Sequence, residues 1–173
     1  KLEPQNIKSG YFLYMGRLSK NKNVDFMIDV INMLNKKEKK KFSFIIVGPD
    51  YGEKNKLIIK INNLNLHKYI KILEPIYSID RFSLIKNAKA LLLASDYECN
   101  SIVVAEALAL GVVVISSKEC NTEDISKFGA CITTIRRDEN MFVENIINIL
   151  DDSYYDKIRD KAKKYSDEFL NIN

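Results

Sequence analysis

Apolar residues alternate along the chain between short continuous runs and longer periodic stretches. Tyr11-Phe12-Leu13-Tyr14-Met15 is a β-rich run that stops at Gly16, and it predicts a first strand followed by the polar loop Gly16 to Asn23. Val24, Met27, Ile28, Ile31 and Leu34 then recur at helical spacing, predicting a helix over Val24–Lys37. The alternation continues with strands over Phe42–Val47, Tyr69–Leu73, Ala90–Ala94, Val112–Ser116 and Ala130–Thr134. Helices are predicted over Lys54–Leu64, Ile79–Asn87, Ser101–Leu110, Asn140–Leu150 and Tyr154–Phe169. The run Val112–Ser116, rich in β-branched residues, reads as a parallel strand buried on both faces.

Strands alternating with helices through short connections predict a doubly wound, mostly parallel α/β sheet. Ligands of such sheets bind beyond the carboxyl ends of the strands. The loops after Met15, Val47, Leu73, Ala94 and Ile115 all share that edge. One stretch there, Asp96–Leu110, carries two carboxylates, Glu98 and Glu106, in and beside an otherwise apolar run. A helix capped by Asn100 or Ser101 would point free backbone N–H groups into the crevice, where they favour an anion such as phosphate. A carboxylate beside a phosphate has a use if it accepts hydrogen bonds from hydroxyls of the same ligand. The stretch therefore predicts a ligand both phosphorylated and rich in hydroxyls. Taken alone, the spacing is equally that of an exposed helix acid and an ordinary loop acid; the convergence of loops favours the site. Arg17 and Lys22, in the first of those loops, supply cations of the kind a diphosphate requires.

Composition narrows the picture further. With 173 residues, 46% hydrophobic and 29% charged, the chain has the size and content of one folded domain. A net charge of +4 is compatible with anionic ligands and makes no case for nucleic acid, and the nine tyrosines are too scattered to form a stacking platform. Cys99, Cys120 and Cys131 lack metal-type spacing and read as reduced thiols of a cytoplasmic protein. The run Lys36-Lys37-Glu38-Lys39-Lys40-Lys41 reads as a solvated helix end favoured by the helix dipole. No apolar stretch is long enough for a membrane span. No Gly-x-Gly-x-x-Gly occurs, which argues against a dinucleotide-dependent oxidoreductase.

Gly16-Arg17-Leu18 with Lys22, then Val47-Gly48, then Ala94-Ser95, and Glu98 with Glu106 eight residues on, stand in the order and at the separations of a known pattern. From about Tyr11 to Ile135 the chain resembles the C-terminal, donor-binding half of GT-B-fold glycosyltransferases of the group 1 family, with Glu98 and Glu106 matching its Glu-x7-Glu signature. The resemblance implies a Rossmann-like fold forming one half of a GT-B enzyme. It also implies retaining, metal-independent sugar transfer from a nucleoside diphosphate sugar, with no cofactor, in polysaccharide or glycoconjugate synthesis. Arg17 and Lys22 would hold the diphosphate beside Gly16 and Gly48, with backbone N–H groups of Ser101, Ile102 and Val103. Glu98 and Asn100 would lie at the donor sugar, Glu106 would accept from the ribose, and Ile72 and Leu73 would approach the base. Catalysis would rest on Glu98, Arg17 and Lys22.

Residues 1–173 would then be a single nucleotide-sugar-binding domain whose partner, an N-terminal acceptor-binding half on the same or a separate chain, lies outside this sequence. Peripheral attachment to the inner face of a membrane would come through that half. The chain departs from the family pattern at Asn23 and at Glu74-Pro75, where glycine is usual, and at Cys99-Asn100-Ser101. It departs again at Lys118-Glu119-Cys120-Asn121, although Glu123 matches a commonly acidic position. These changes motivate the alternative of a non-catalytic regulatory or partner subunit that keeps the fold. His67 reads as a surface residue and Asp151-Asp152 as a solvated acidic turn.

Overall fold

The computed structural model describes residues 9–99 and 101–170. Six strands, β1 (Tyr11–Met15), β2 (Phe44–Val47), β3 (Ile70–Leu73), β4 (Ala88–Leu93), β5 (Val113–Ser117) and β6 (Ile132–Thr134), form one sheet. Their order is β3-β2-β1-β4-β5-β6 and every pairing is parallel, so the expected mostly parallel sheet is wholly so among the described residues. The chain winds outward from β1 to β3, then returns beside β1 with β4 and winds the other way. Loops leaving β1 and β4 diverge at that switch point and open a crevice.

Helices α1 (Val24–Lys37), α2 (Lys54–Asn63) and α6 (Glu139–Asn148) pack as one group, and α3 (Asp80–Lys86), α4 (Ile102–Ala109), α5 (Glu123–Phe128) and α7 (Asp152–Tyr165) as another. The central strands are therefore covered on both sides, and β1, β2 and β5 are almost wholly buried, as their continuous apolar runs require. Most strands and helices begin or end within two residues of the sequence expectation, the scatter usual for frayed ends. The short helix α5 is not among the predicted helices: none of its six residues is fully buried, and only Ile125 and Phe128 pack against the core, too few to set a helical period. Beyond α7, Ser166–Leu170 form one π-type turn rather than continuing the helix to Phe169. Asp151 caps α7, its carboxylate accepting from the Tyr154 backbone N–H at 2.9 Å, and His67 is exposed. No helix of the described residues is long and apolar enough to cross a membrane.

The three cysteines are free; Cys99 is exposed, whereas Cys120 and Cys131 are buried. Burial pushes the Cys131 thiol up from 9.0 to about 11 and raises that of Cys120 as well, suppressing the reactive thiolate. An aromatic disulfide reagent at pH 8 will therefore titrate one thiol in the native chain and three after denaturation. Titration of two or more thiols in the native chain would contradict the packing around β5 and β6. Because the folded chain holds a proton that the unfolded chain releases, this contribution to stability is complete below pH 9 and is lost as pH rises through about 11.

Candidate functional site

β1 and β2 stay side by side past their carboxyl ends. The Gly16 N–H donates to the Val47 carbonyl at 2.9 Å and the Leu18 N–H to the Pro49 carbonyl at 2.8 Å. The approach is so close that a Cβ on Gly48 would sit 1.7 Å from the Gly16 carbonyl oxygen. Tyr14, buried beneath, donates its hydroxyl to the Arg17 carbonyl at 2.7 Å, and burial first of all raises its ionisation far above the ordinary phenol value. These contacts fix the backbone that carries Arg17.

Beyond this edge lies a cavity of about 410 Å³. Gly16, Arg17 and Lys22 reach it from the loop after β1, and Gly48 from the loop after β2. Pro75, Ile76, Tyr77 and Arg81 form a wall after β3. Glu98 and residues 101–103 close it from the loop after β4 and the start of α4. Of the residues singled out in the sequence, Gly16, Arg17, Lys22, Gly48, Glu98, Ser101, Ile102 and Val103 meet in this one space. Ile72 and Leu73 do not line it; β3 ends just short, and the wall is built from the loop that follows. Asn100 lies outside the described residues.

The charges are arranged in pairs. Lys22 Nζ donates to Glu98 Oε1 at 2.6 Å, and Ser95 Oγ donates to the same oxygen at 2.9 Å. Arg17 has no ion-pair partner among the described residues; its guanidinium stands over the Tyr51 ring, 5.5 Å from the centroid. Glu106 is held from α3: Arg81 Nη2 donates to its two oxygens at 2.6 and 2.5 Å. Ser101 occupies the N-cap position of α4 in extended conformation, so the first N–H groups of that helix, on residues that line the cavity, have no intrahelical acceptors.

A second set of contacts holds these loops together. Asn23 adopts the left-handed conformation, φ 49°, which accounts for a residue standing where glycine is usual. Its Nδ2 donates to the Ala94 carbonyl at 2.9 Å and to Asp96 Oδ1 at 2.8 Å, while Arg137 Nη1 donates to the same Asp96 oxygen at 2.5 Å. Those hydrogen bonds, from Arg137 first and Asn23 second, hold the Asp96 carboxyl below its usual range. Asn121, at φ 56°, repeats the device on the other side of the crevice and donates to the Cys99 carbonyl at 2.9 Å. The side chain of Glu119 is exposed and only its carbonyl turns inward, accepting from the Glu98 N–H at 3.2 Å. The acid in that loop therefore does not oppose an anion in the cavity.

Sequence reasoning missed Arg81, Asp96 and Arg137. For Arg81 a signal existed: it stands in the first turn of α3, where the helix dipole disfavours a cation, so its presence called for a specific acidic partner. Among the described residues no group of three or more His, Cys, Asp or Glu side chains is placed to hold a metal.

The family model for glycosyl transferases group 1 matches residues 3–169. No curated protein matches the chain. Among solved structures, the C-terminal domain of LpcC, a glycosyl transferase group 1 family protein from Francisella tularensis, aligns with a TM-score of 0.84 at 18% identity, covering 98% of this chain and 90% of that one. WaaG, a glycosyltransferase involved in lipopolysaccharide biosynthesis, aligns at 0.80 and 17% identity over 94% of this chain. Anabaena HepE, solved in complex with UDP and glucose, aligns at 0.79 and 20% identity over 92%. The chain spans 44% of WaaG and 44% of HepE, less than half of either. At these identities the likeness shows a shared fold.

Proposed function

The chain belongs to the group 1 glycosyl transferases, and from that premise we propose that it is the donor-binding half of a GT-B glycosyltransferase that takes a nucleoside diphosphate sugar. The observation that carries this reading is the meeting of Arg17, the Lys22–Glu98 pair and the start of α4 around one cavity at the switch point of the sheet. The diphosphate lies on Arg17, Lys22 and the first N–H groups of α4. Glu98 faces the donor sugar, and the nucleoside runs along the wall of Pro75, Ile76 and Tyr77 with the Arg81–Glu106 pair at its ribose.

In the transfer step, the bond from the anomeric carbon to the diphosphate breaks and a bond to the acceptor oxygen forms on the same face. The acceptor proton passes to the departing phosphate. Arg17 and Lys22 stabilise the negative charge that develops on the diphosphate as the sugar becomes oxocarbenium-like. The acceptor and the remaining catalytic contacts belong to an N-terminal half. A role in polysaccharide or glycoconjugate synthesis fits the involvement of WaaG in lipopolysaccharide biosynthesis, and the UDP and glucose bound to HepE fit a nucleotide-sugar donor.

Saturation-transfer NMR on the chain with uridine, guanosine and adenosine diphosphate sugars tests the reading. Signal for one nucleotide series, lost in a folded Arg17→Ala variant, is the expected result. Absence of signal for all three series from the folded wild-type chain would overturn it.

A further inference from the structure

We propose that the edge of the sheet opposite the cavity docks this chain onto a membrane carrying anionic lipids, through Lys36, Lys37, Lys39, Lys40, Lys68 and Lys86. The parallel strands bring these residues to one edge. α1 returns from the cavity side and ends at Lys37, Lys39 and Lys40 precede β2, Lys68 precedes β3, and Lys86 closes α3 before β4. All six side chains are exposed. In the order β3-β2-β1-β4 the amino ends they flank span three strand spacings, about 14 Å.

The run at 36–41 does more than finish a helix. Only Lys41 bonds the helix end, its Nζ donating to the Asn35 carbonyl and, at 2.9 Å, to the Glu38 carbonyl. The helix dipole acts within the last turn, which takes in Lys36 and Lys37 and leaves Lys39, Lys40 and Lys68 outside any helix. None of the six lysines has an ion-pair partner among the described residues, and the Glu38 carboxylate pairs with none of them. Lysines on other faces find acids, as Lys54 does with Glu74, Lys60 with Asp29 and Lys127 with Asp124. Lys89, in β4, bounds the patch: burial above all lowers its pKa, the carboxylates of Asp152 and Asp156 raise it, and the charge of Lys40 lowers it again. Like charges gathered without internal partners repel one another, and an anionic surface relieves that repulsion.

The chemistry favours a lipid surface over a nucleic acid. An ammonium is a compact point charge that asks for opposite charge without fixed geometry, whereas the planar fork of arginine, absent from the six, suits nucleic-acid recognition. The aromatic residues beside these lysines in sequence are not free to stack on bases. Phe42 is buried, with Lys40 Nζ 5.7 Å from its ring centroid, and Tyr69 is half-buried. A cluster of about four to eight basic residues is the footprint of contact with an anionic leaflet. A membrane seated at this edge leaves the cavity open at the other, so the contact is independent of the donor-domain reading.

Co-sedimentation of the chain with vesicles of phosphatidylcholine and phosphatidylglycerol in equal parts tests the proposal. The wild-type chain binds these vesicles at low salt, is released as added salt screens the charges, and stays in solution with phosphatidylcholine alone. The variant Lys36→Gln/Lys37→Gln/Lys39→Gln/Lys40→Gln binds at least about a hundredfold more weakly, each lysine near such a surface being worth about fivefold. Lys157→Gln/Lys161→Gln/Lys163→Gln/Lys164→Gln removes the same charge from α7 and weakens binding by less than about fivefold. Both variants are first matched to the wild type by circular dichroism. Failure of the wild-type chain to bind the mixed vesicles overturns the proposal, as does an equal loss in the two variants. Release of the bound chain by an equal charge of single-stranded RNA overturns it as well, by making nucleic acid the occupant.

Discussion

Replacing Lys22 with alanine weakens nucleoside diphosphate binding by about a hundredfold, the largest loss from a single side chain in the cavity. Two effects act in the same direction. The charge-assisted bond from Nζ to the phosphate disappears, a loss of about 1.5–3 kcal/mol. Glu98, which in the native chain lies 2.6 Å from Nζ and is only 18% exposed, is left with Ser95 as its remaining donor and turns an uncompensated negative charge toward the ligand. Together these reach roughly 3 kcal/mol, which corresponds to about two orders of magnitude in affinity. NMR titration of the Lys22→Ala chain with the preferred nucleotide measures the effect. Adding Glu98→Gln to that variant separates the two contributions, because it removes the repulsion without restoring the cation, and recovers about tenfold. Wild-type affinity in Lys22→Ala would remove Lys22 from the diphosphate site.

Gly48→Ala produces the largest loss of stability. The new Cβ would lie 1.7 Å from the Gly16 carbonyl oxygen and 2.7 Å from its carbonyl carbon. Both are backbone atoms, so no rotamer change relieves the overlap. β1 and β2 must separate at their carboxyl ends, which strains the Gly16–Val47 and Leu18–Pro49 hydrogen bonds. Gly48 also has φ 156°, a region that favours glycine over residues with a Cβ. Overpacking against immobile atoms typically costs 1–3 kcal/mol, and the backbone conformation adds to it. A loss of about 3 kcal/mol, equivalent to roughly 6–12 °C in a domain of this size, is expected in thermal denaturation. Because Gly16 and Arg17 move with the distortion, nucleotide binding falls in the same variant. Gly52→Ala serves as the comparison: at φ 95° it is conformationally strained too, yet a Cβ there meets nothing within 4 Å. A Gly48→Ala chain no less stable than Gly52→Ala would show that the close approach of the two loops is not maintained.

The paired charges explain how acids are held in and beside an apolar crevice at all. Glu98 and Glu106 each sit beside a cation contributed by a different segment, Lys22 from the loop after β1 and Arg81 from α3. Removing either cation leaves a poorly solvated carboxylate, whereas the intact pairs present donors to the cavity. The asparagines at 23 and 121 do comparable work on the backbone. Each holds a left-handed conformation and uses its amide to tie a neighbouring loop to the one after β4. At Asn23, where glycine is usual, the substitution is thus conformationally conservative, and it adds a cross-link that glycine has no side chain to make.

The sequence by itself determined the architecture and the edge at which the site lies. Alternating apolar periodicities specify strand or helix locally, and the strand-to-helix order then leaves few topologies, all with the ligand at the carboxyl ends of the strands. Within that edge, Arg17, Lys22, Glu98 and the start of α4, which line one cavity, were legible from residue type and spacing, and Gly48 from the family resemblance. Only the tertiary structure decided which charges meet. Lys22 and Glu98 are 76 residues apart and Arg81 and Glu106 are 25 apart, and hydrophobic periodicity carries no information about such pairings, because they are set by where packed helices bring their ends. For the same reason periodicity pointed to the end of β3 at Ile72 and Leu73, which stay in the sheet, whereas the residues that line the cavity on that side are Pro75, Ile76, Tyr77 and Arg81. Secondary structure is written in local pattern, but the polarity of a site is fixed by side chains that become neighbours only when the core closes.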